Sequence, residues 1–183
     1  MRTSTEFTNN HKDTIDSEGM IVINKVLAYL EDLDIQYSIS YHPPAPTIEI
    51  AKQYWSDIEA VHCKNLFFRN HKGNRHYLVL LDCDSTMNIH GLEKHLKQGK
   101  LTFASEARME KHLGVKPGSV SFFALINSES KNVKLFLDEK LLSAEKISFH
   151  PNDNRASVVI SGTGFRFLLD HFENEYELMD LTE

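Results

Sequence analysis

Two apolar runs separated by a short polar turn lie in the middle of this chain. The first ends in Leu66-Phe67-Phe68 and the second is Tyr77-Leu78-Val79-Leu80-Leu81, with Lys72-Gly73-Asn74 between them. Apolar runs of this length, bounded by turn residues, are typical of buried β-strands. The sequence therefore predicts a β-hairpin, and any fold of the chain has to bury both of its strands.

The same hairpin has an excess of positive charge. Residues 61–76 read VHCKNLFFRNHKGNRH, with four Lys or Arg residues, three His residues and no carboxylate, whereas the whole chain has 20 Lys plus Arg against 26 Asp plus Glu. A local positive surface on an acidic protein favours a ligand that carries phosphate. Taken by itself, such a run is also typical of a solvated hairpin whose charges only keep it soluble.

The length and composition favour one folded domain. The chain has 183 residues, of which 41% are hydrophobic and 25% are charged, and its formal net charge is −6. Such a chain can bury a sizeable core, and its negative charge disfavours a nucleic-acid groove across the whole surface. We expect a polar, flexible segment over residues 1–19 and a folded domain over residues 20–183.

The apolar pattern predicts helices and strands in a mixed order. Helices are expected where apolar residues recur at helical spacing or follow a capping residue, and strands where they alternate or form short runs. The expected helices are residues 20–33, 47–54, 88–97, 105–113 and 162–172. The expected strands besides the hairpin are residues 35–41, 101–103, 120–126, 133–137, 147–149, 156–160 and 176–181. Because the two types neither alternate nor segregate, we predict an α+β fold, a single domain with a mixed, curled β-sheet flanked by helices.

The cysteines and histidines do not have the spacing of a disulfide framework or a metal site. Cys63 and Cys83 are twenty positions apart, and the first residues contain no apolar leader. We therefore expect a reduced, cytoplasmic protein. None of the ten histidines has zinc-motif spacing, and no stretch has the roughly 20 apolar residues of a membrane span. The expectation is no metal, no cofactor and no membrane partner.

Two polar turns contain residue types that build binding sites. In residues 117–121, Gly118 lets the backbone approach a ligand and direct N–H groups toward an oxyanion, although a plain tight turn has the same composition. In residues 150–154, His150 can act as a base near neutral pH, or it can hold the turn through a backbone carbonyl. The residues leave these two roles open.

Several segments, in their order and text, resemble the YbaK/ProX family of free-standing editing proteins, which is related to the insertion domain of bacterial prolyl-tRNA synthetases. The segments are His42-Pro43 with Thr47, Lys64-Asn65-Leu66-Phe67, Leu101 to Glu106, Leu113 to Val120, Leu125-Ile126-Asn127 and Phe149 to Asn154. The resemblance runs from about Met20 to Leu181. The texts Lys-Asn-Leu-Phe and Phe-His-Pro-Asn are closer to the ProX branch.

The resemblance implies trans-editing, which is hydrolysis of the ester bond of a mischarged aminoacyl-tRNA, with alanyl-tRNA(Pro) as the substrate. The partner is then the acceptor end of a tRNA, and prolyl-tRNA synthetase is a second candidate partner. One alternative is a deacylase for cysteinyl-tRNA(Pro). Another is a non-catalytic module on the same fold that binds an RNA end or a nucleotide.

The resemblance also implies site residues. Lys64 would hold the acceptor end, the backbone N–H groups of Gly118 and Ser119 would stabilise an oxyanion, and His150 completes the expected catalytic group. The residues expected to contact the substrate are His42, Thr47, Asn65, Arg69, Val120, Ser121, Phe122, Asn152 and Asn154.

One position departs from the family pattern. The family loop reads Gly-x-x-x-Pro, whereas this chain has Phe122 where the proline is expected. If residues 120–126 form a strand, alternation places Phe122 and Phe123 on opposite faces. We expect Phe122 to line the pocket, where its ring would narrow the space for the amino acid.

Overall fold

The structure is a computed structural model that describes residues 5–8 and 11–183. In this part of the chain the α-helices are α1 (Ser17–Asp32), α2 (Ile48–Trp55), α3 (Ile89–Leu96), α4 (Glu106–Leu113) and α5 (Gly162–His171). The strands are β1 (Thr5–Thr8), β2 (Tyr37–Tyr41), β3 (Val61–Arg69), β4 (His76–Asp82), β5 (Thr102–Phe103), β6 (Val133–Asp138), β7 (Lys146–Phe149), β8 (Ala156–Ser161) and β9 (Tyr176–Met179). Short 3-10 helices cover Lys12–Thr14, Phe122–Ile126, Ser128–Asn132 and Glu139–Ser143.

One mixed sheet connects all of these strands. Its order is β1-β2-β8-β7-β3-β4-β6-β9, and β5 pairs with β3. The predicted hairpin forms, because β3 and β4 pair antiparallel from Cys63 opposite Asp82 to Arg69 opposite His76. β4 and β6 are parallel neighbours, as are β3 and β7. The prediction of an α+β fold with a mixed, curled sheet flanked by helices is confirmed.

Strand β4 is buried because both of its faces are covered. Leu78 and Leu80 pack in the main hydrophobic cluster, while Val79 and Leu81 pack in a smaller cluster that also contains Leu92 of α3. Continuous apolar runs are the expected sequence for a strand with two covered faces. The sheet is therefore a central layer, with α3 on one face and the larger core on the other.

Helix α1 begins earlier than the sequence pattern predicts. It starts at Ser17 rather than at Met20, because the Asp16 carboxylate caps it by accepting a 2.8 Å hydrogen bond from the Gly19 N–H group. Strand β1 lies further upstream and pairs parallel with β2. Residues 1–4, 9 and 10 of the expected flexible segment lie outside the described residues, so the boundary at residue 20 stays a prediction.

The expected strand over residues 120–126 is wrong. Phe122–Ile126 form a 3-10 helix, and the Ser121 hydroxyl caps it by accepting a hydrogen bond from the Phe123 N–H group. The Phe122 N–H group donates to Asn65 Oδ1 at 3.0 Å. A short apolar run is compatible with either a buried strand or a buried helical turn, and here side-chain caps satisfy the backbone in place of a strand ladder.

The expectation that Phe122 lines the pocket is also wrong. Its side chain is fully buried, and the centroids of the Phe149, Phe165 and Phe172 rings lie 5.0 to 5.2 Å from the Phe122 centroid. Phe122 occupies the first position of its 3-10 helix, with a backbone that points its ring into this aromatic cluster. It is a core residue beneath the loop.

Truncation of Phe122 should therefore destabilise the fold. We predict that Phe122→Ala lowers the free energy of unfolding by about 3 to 5 kcal/mol, because it leaves a cavity among aromatic rings. Phe103→Ala is the matched control, since Phe103 is 64% exposed, and it should cost less than about 1 kcal/mol. Urea unfolding measures both values, and equal losses would contradict the core position of Phe122.

Candidate functional site

The candidate site lies where one edge of β3 has no strand neighbour. On that edge Val61 and His62 pair with β7, and Phe68 and Arg69 pair with β5. Between these two pairings, residues 63–66 have no strand partner on that side in the described part of the chain. The interruption opens a cleft in the sheet, and residues 63–67 form its floor.

The cleft has a volume of about 320 Å³, within the range of small-molecule pockets. Five segments besides β3 close around it: the turn before α2 with α2 itself, β5 at Phe103, α4 at Met109, the loop at Gly118 and Val120, and strands β7 and β8 with the turn between them. Its lining is largely apolar, with small side chains such as Ala45, Ala51 and Ala156 beside larger rings. A small apolar ligand group with polar anchor points fits such a lining.

Lys64 places a positive charge in the cleft. Its side chain is half-buried, and Nζ donates a 2.8 Å hydrogen bond to the Ser85 carbonyl oxygen. No described carboxylate lies within 4.0 Å of this ammonium group. The charge is therefore held in position by a neutral acceptor and is available to an anionic or carbonyl group of a ligand.

Asn65 connects the floor of the cleft to the loop above it. Its Oδ1 accepts from the Phe122 N–H group at 3.0 Å, and its Nδ2 donates to the Cys63 carbonyl at 3.3 Å. The amide thus satisfies backbone groups on both segments. Asn65 lines the cleft and also fixes the loop, and the sequence predicted only the first of these roles.

The loop contributes backbone at Gly118 and Val120. Gly118 has a φ of +78°, a conformation that favours glycine, and a Cβ there would lie 3.2 Å from Asn154 Nδ2. The N–H groups of Gly118 and Val120 have no backbone acceptor among the described residues, whereas the Ser119 N–H group donates to the Lys116 carbonyl at 3.1 Å. The donors that remain for a ligand are therefore those of Gly118 and Val120.

His150 lies at the end of β7 and lines the cleft. Its Nδ1 atom is buried and has no partner among the described residues. Burial lowers the pKa of the ring to about 4, and the nearby Asp153 only partly offsets this. The imidazole is neutral near pH 7, and one ring nitrogen can hydrogen-bond to a ligand or to water.

A hydrogen-bonded chain of three side chains forms the opposite wall. His42 Nδ1 donates to the Pro43 carbonyl at 2.8 Å, so the neutral ring accepts at Nε2 from the Ser157 hydroxyl at 3.1 Å. The Ser157 oxygen accepts in turn from Trp55 Nε1 at 3.1 Å. Desolvation lowers the His42 pKa, which keeps the ring neutral. The chain fixes His42 and places a serine hydroxyl next to a histidine nitrogen inside the cleft.

Most of the predicted site residues meet at this cleft, and five do not. Those that line it are His42, Thr47, Lys64, Asn65, Gly118, Val120, His150 and Asn154. Ser119 faces a separate recess beside Asp16 and Arg155. Arg69 donates to the carbonyls of Asn70 and His71 at the far end of β3.

Ser121 and Asn152 support the cleft from behind. The Ser121 hydroxyl donates to the His150 carbonyl at 2.6 Å, and Asn152 Nδ2 donates to the Phe123 carbonyl at 3.1 Å. Both bonds join the loop that follows Gly118 to the turn that follows β7. These two hydrogen bonds and the buried ring of Phe122 together hold the loop in its position over the cleft.

Three further residues that line the cleft were not predicted from sequence patterns: Trp55, Ser148 and Ser157. Trp55 is the one tryptophan of the chain, yet its position at the end of α2 follows a typical amphipathic pattern. Ser148 lies in β7 and Ser157 lies in β8, and no sequence pattern distinguishes a buried serine from any other serine in a strand. Only the pairing of β7 with β8 brings them to the same site.

Asp82, Cys83 and Asp84 form the one group of three potential metal ligands among the described residues. Asp84 is paired with Lys52, and the Asp82 carboxylate accepts from the Asp84 N–H group. Burial raises the pKa of the Cys83 thiol, which disfavours its ligand form. The absence of a metal therefore stays a prediction. No described helix is both long enough and apolar enough to cross a membrane.

Comparison with known proteins identifies the family. The profile of the aminoacyl-tRNA editing domain matches residues 42–168, a range that contains the whole lining of the cleft. The chain belongs to the aminoacyl-tRNA editing domain family. The resemblance inferred from its motifs is thereby confirmed.

Individual relatives agree with this assignment. The editing domain is 37% identical over 158 residues to the prolyl-tRNA editing protein ProX of Acetoanaerobium sticklandii, which covers 85% of this chain and 95% of the relative. It is 33% identical over 138 residues to the prolyl-tRNA synthetase associated domain-containing protein 1 of Xenopus laevis, covering 73% of this chain and 82% of the relative.

Solved structures share the fold at lower identity. A crystal structure described as that of a proposed trans-editing enzyme for prolyl tRNA synthetase has a TM-score of 0.68 at 19% identity, and the match covers 92% of this chain and 99% of that one. A crystal structure of a hypothetical protein has a TM-score of 0.67 at 21% identity, covering 87% and 99%. At these identities the likeness concerns the fold.

The partly buried and desolvated His150 ring should make the stability of this editing domain depend on pH. Its folded pKa of about 4 lies below the ordinary value of about 6.5, so the unfolded chain binds more protons between these two values. We predict that the contribution of His150 to the free energy of unfolding is largest above pH 6.5 and falls by up to about 3 kcal/mol as the pH drops to 4.

His150→Asn removes this titrating group, so urea unfolding of the variant between pH 7 and pH 4 should have a shallower pH dependence than the parent chain. His71→Asn, at an exposed position of the hairpin turn, is the control and should leave the dependence in place. A His150→Asn curve parallel to that of the parent would contradict a buried, neutral imidazole.

Proposed function

We propose that this aminoacyl-tRNA deacylase clears alanine from mischarged proline tRNA, by hydrolysis in trans of the ester that joins the amino acid to the terminal ribose. The partner is the acceptor end of that tRNA, and prolyl-tRNA synthetase is a proposed second partner. We place the reaction in the cytoplasm, and the relative named as a prolyl-tRNA editing protein supports the choice of tRNA.

The observation that carries this proposal is the composition of the cleft. A cation without a described ion pair, two backbone N–H groups without a described backbone acceptor and an apolar pocket of about 320 Å³ meet above the interrupted edge of β3. An activated ester needs a positioned water and stabilisation of the developing oxyanion more than it needs a strong nucleophile. The cleft offers these elements at the size of a small amino acid.

Each group has a proposed part in the reaction. Lys64 binds the acceptor end beside the ester, and the N–H groups of Gly118 and Val120 stabilise the oxyanion that forms when water attacks the carbonyl. Val120 replaces Ser119 in this role, because the Ser119 N–H group is already used in the turn. The available N–H groups therefore support an oxyanion site at Gly118 and Val120 rather than at Gly118 and Ser119.

In this scheme His150 positions the attacking water or the terminal ribose and does not act as the base that removes a proton. A ring with a pKa of about 4 is a weak base near neutral pH, yet the neutral ring lines the cleft and can form a hydrogen bond with the attacking water or the terminal ribose. The neighbouring ribose hydroxyl, as the family resemblance implies, assists the proton transfer. Of the two roles that the sequence leaves open for His150, we propose the positioning role.

Selection of alanine follows from the small walls of the cleft. Ala45, Ala51 and Ala156 lie beside the bulkier rings of Phe67 and Phe149. A hydrophobic pocket distinguishes two substrates that differ by one methylene group by only about 10- to 200-fold. Correctly charged prolyl-tRNA therefore has to be rejected because the proline ring is too large for the cleft. A site closed by rigid, buried side chains can provide such exclusion.

A deacylation panel tests the function. With alanyl-, cysteinyl-, seryl- and prolyl-tRNA at equal concentration, we predict the largest kcat/KM for alanyl-tRNA(Pro) and negligible turnover of prolyl-tRNA. The largest value for the cysteinyl substrate would instead favour the cysteine-clearing alternative. Binding of tRNA without turnover of any of the four would favour the non-catalytic module.

Lys64→Ala tests the ligand-binding charge. We predict that kcat/KM falls by about 100-fold or more, because the positioned ammonium group is lost. The free energy of unfolding should change by less than about 1 kcal/mol, since only a hydrogen bond to a backbone carbonyl disappears. Lys146→Ala, at an exposed position of β7, is the matched control, and equal activity of the two variants would remove Lys64 from the site.

A further inference from the structure

A second recess lies on the other side of α4 from the cleft. Its volume is about 680 Å³, and the hairpin and α4 supply its charged lining. The side chains that give it its character are Arg75, His76, Arg108, Lys111 and His112. No carboxylate is among the described residues that line it, in a chain whose formal net charge is −6.

Arg108 is fixed in this recess by two hydrogen bonds. Its Nη1 donates to the Gly73 carbonyl and to His76 Nε2, both at 2.8 Å. Because these contacts use only one of the three guanidinium nitrogens, the N–H groups on Nε and Nη2 have no described hydrogen-bond partner. A guanidinium that is already held in place loses little side-chain entropy when it binds an anion.

Both the hairpin and α4 place further cations beside Arg108 in the recess, namely Arg75 and Lys111. His76 stacks on His112 with ring centroids 3.8 Å apart, and burial followed by the charges of His112, Arg108, Lys111 and Arg69 lowers the His76 pKa to about 4. The neutral His76 ring can therefore keep accepting from Arg108. Neither Arg75 nor Lys111, both exposed, has a described carboxylate within 4.0 Å.

Helix α4 has an apolar face and a basic face. Met109 and Leu113 face the protein, and Met109 also lines the cleft. Arg108, Lys111 and His112 form the basic face, because residues three and four apart lie on one side of a helix. The basic recess and the cleft therefore share α4 as a wall, at a separation comparable to a helix diameter of about 10 to 12 Å.

An exposed aromatic ring lies between the two sites. Phe103 is 64% exposed, lines the mouth of the cleft and stacks on Phe68 with centroids 4.6 Å apart. It is followed closely by Ser105, which caps α4 and lines the basic recess. Exposed aromatic rings beside a cationic groove are the usual surface for single-stranded nucleic acid, since bases stack while cations bind phosphates.

We propose that Arg75, Arg108 and Lys111 form a phosphate-binding site for the acceptor strand of the same tRNA whose aminoacyl end occupies the cleft. This assignment rests on the proposed function. The terminal base stacks on Phe103, and the strand then crosses α4 so that backbone phosphates reach the basic recess. The site contributes affinity for the RNA rather than chemistry at the ester, since no residue of the recess lines the cleft.

The test compares two double variants with the same change in net charge. R75E/K111E reverses the two exposed cations of the recess, and K94E/K146E reverses two exposed lysines outside it. The readout is the Kd of uncharged tRNA(Pro), by fluorescence anisotropy at several salt concentrations. Because this binding needs no hydrolysis, the result is independent of whether the chain deacylates any substrate.

We predict that R75E/K111E raises the Kd by at least about 10-fold. It should also reduce the slope of log K against log[salt] by about 1.4 to 1.8, which corresponds to two lost phosphate contacts. K94E/K146E should change the Kd by less than about 2-fold and leave the slope unchanged. In deacylation assays, R75E/K111E should raise KM for full-length alanyl-tRNA more than KM for alanyl-adenosine, which lacks the strand.

Three outcomes would overturn the assignment. The first is equal tRNA binding by the two double variants. The second is equal loss of alanyl-tRNA and alanyl-adenosine turnover in R75E/K111E, which would place the effect at the cleft. The third is saturable binding of inorganic phosphate at the His112 ring, followed by NMR, while R75E/K111E retains tRNA affinity, which would make the recess a site for free phosphate. If R75E/K111E fails to fold, R75Q/K111Q serves in the same comparison, with a smaller expected rise in Kd.

Discussion

The interrupted edge of β3 determines how the rest of the molecule is built. β3 pairs with β4 along most of its length on one side, but on the other side it pairs with β7 at its start and β5 at its end. Backbone groups along the gap cannot join a ladder, and buried polar groups without partners are costly. Side chains and loops therefore have to converge there, and the cleft is the result.

The loop above the gap is held from three directions. Asn65 binds the Phe122 N–H group from the floor, Ser121 binds the His150 carbonyl, and the Phe122 ring anchors the loop in the aromatic core. Each contact links segments far apart in sequence. The positions of Gly118 and His150 relative to Lys64 therefore depend on the packing of the whole domain. Loss of the Phe122 ring would change the geometry of the cleft as well as the stability of the core.

Residues in motifs with a local physical meaning could be predicted from the sequence. The hairpin followed from two apolar runs, the helices over residues 47–54 and 105–113 from their capping residues and spacing, and the places of Lys64 and His150 at the cleft from motif text that the family profile covers. Phe122 could not be placed, because an apolar run has the same composition in a strand and in a buried 3-10 turn.

Other contacts could not be predicted from the sequence, because they join residues that come together only in the folded structure. The hydrogen-bonded chain from Trp55 through Ser157 to His42 joins residues about a hundred positions apart, and no local pattern marks a serine on a buried strand. The cationic segment at residues 61–76 predicted a ligand that carries phosphate, but its positive side chains lie in two different places in the fold. Lys64 faces the cleft, whereas Arg75 joins α4 in a different recess.

The proposed function requires the gap beside β3 to bind the aminoacyl end of a tRNA. A crystal structure of the protein with a non-hydrolysable amide analogue of alanyl-adenosine would show whether it does. We predict that the amide carbonyl oxygen accepts hydrogen bonds from the N–H groups of Gly118 and Val120, at about 2.7 to 3.2 Å, with the alanyl side chain among the small residues of the cleft. An analogue bound elsewhere, with the cleft unoccupied, would contradict the assignment of the cleft as the aminoacyl site.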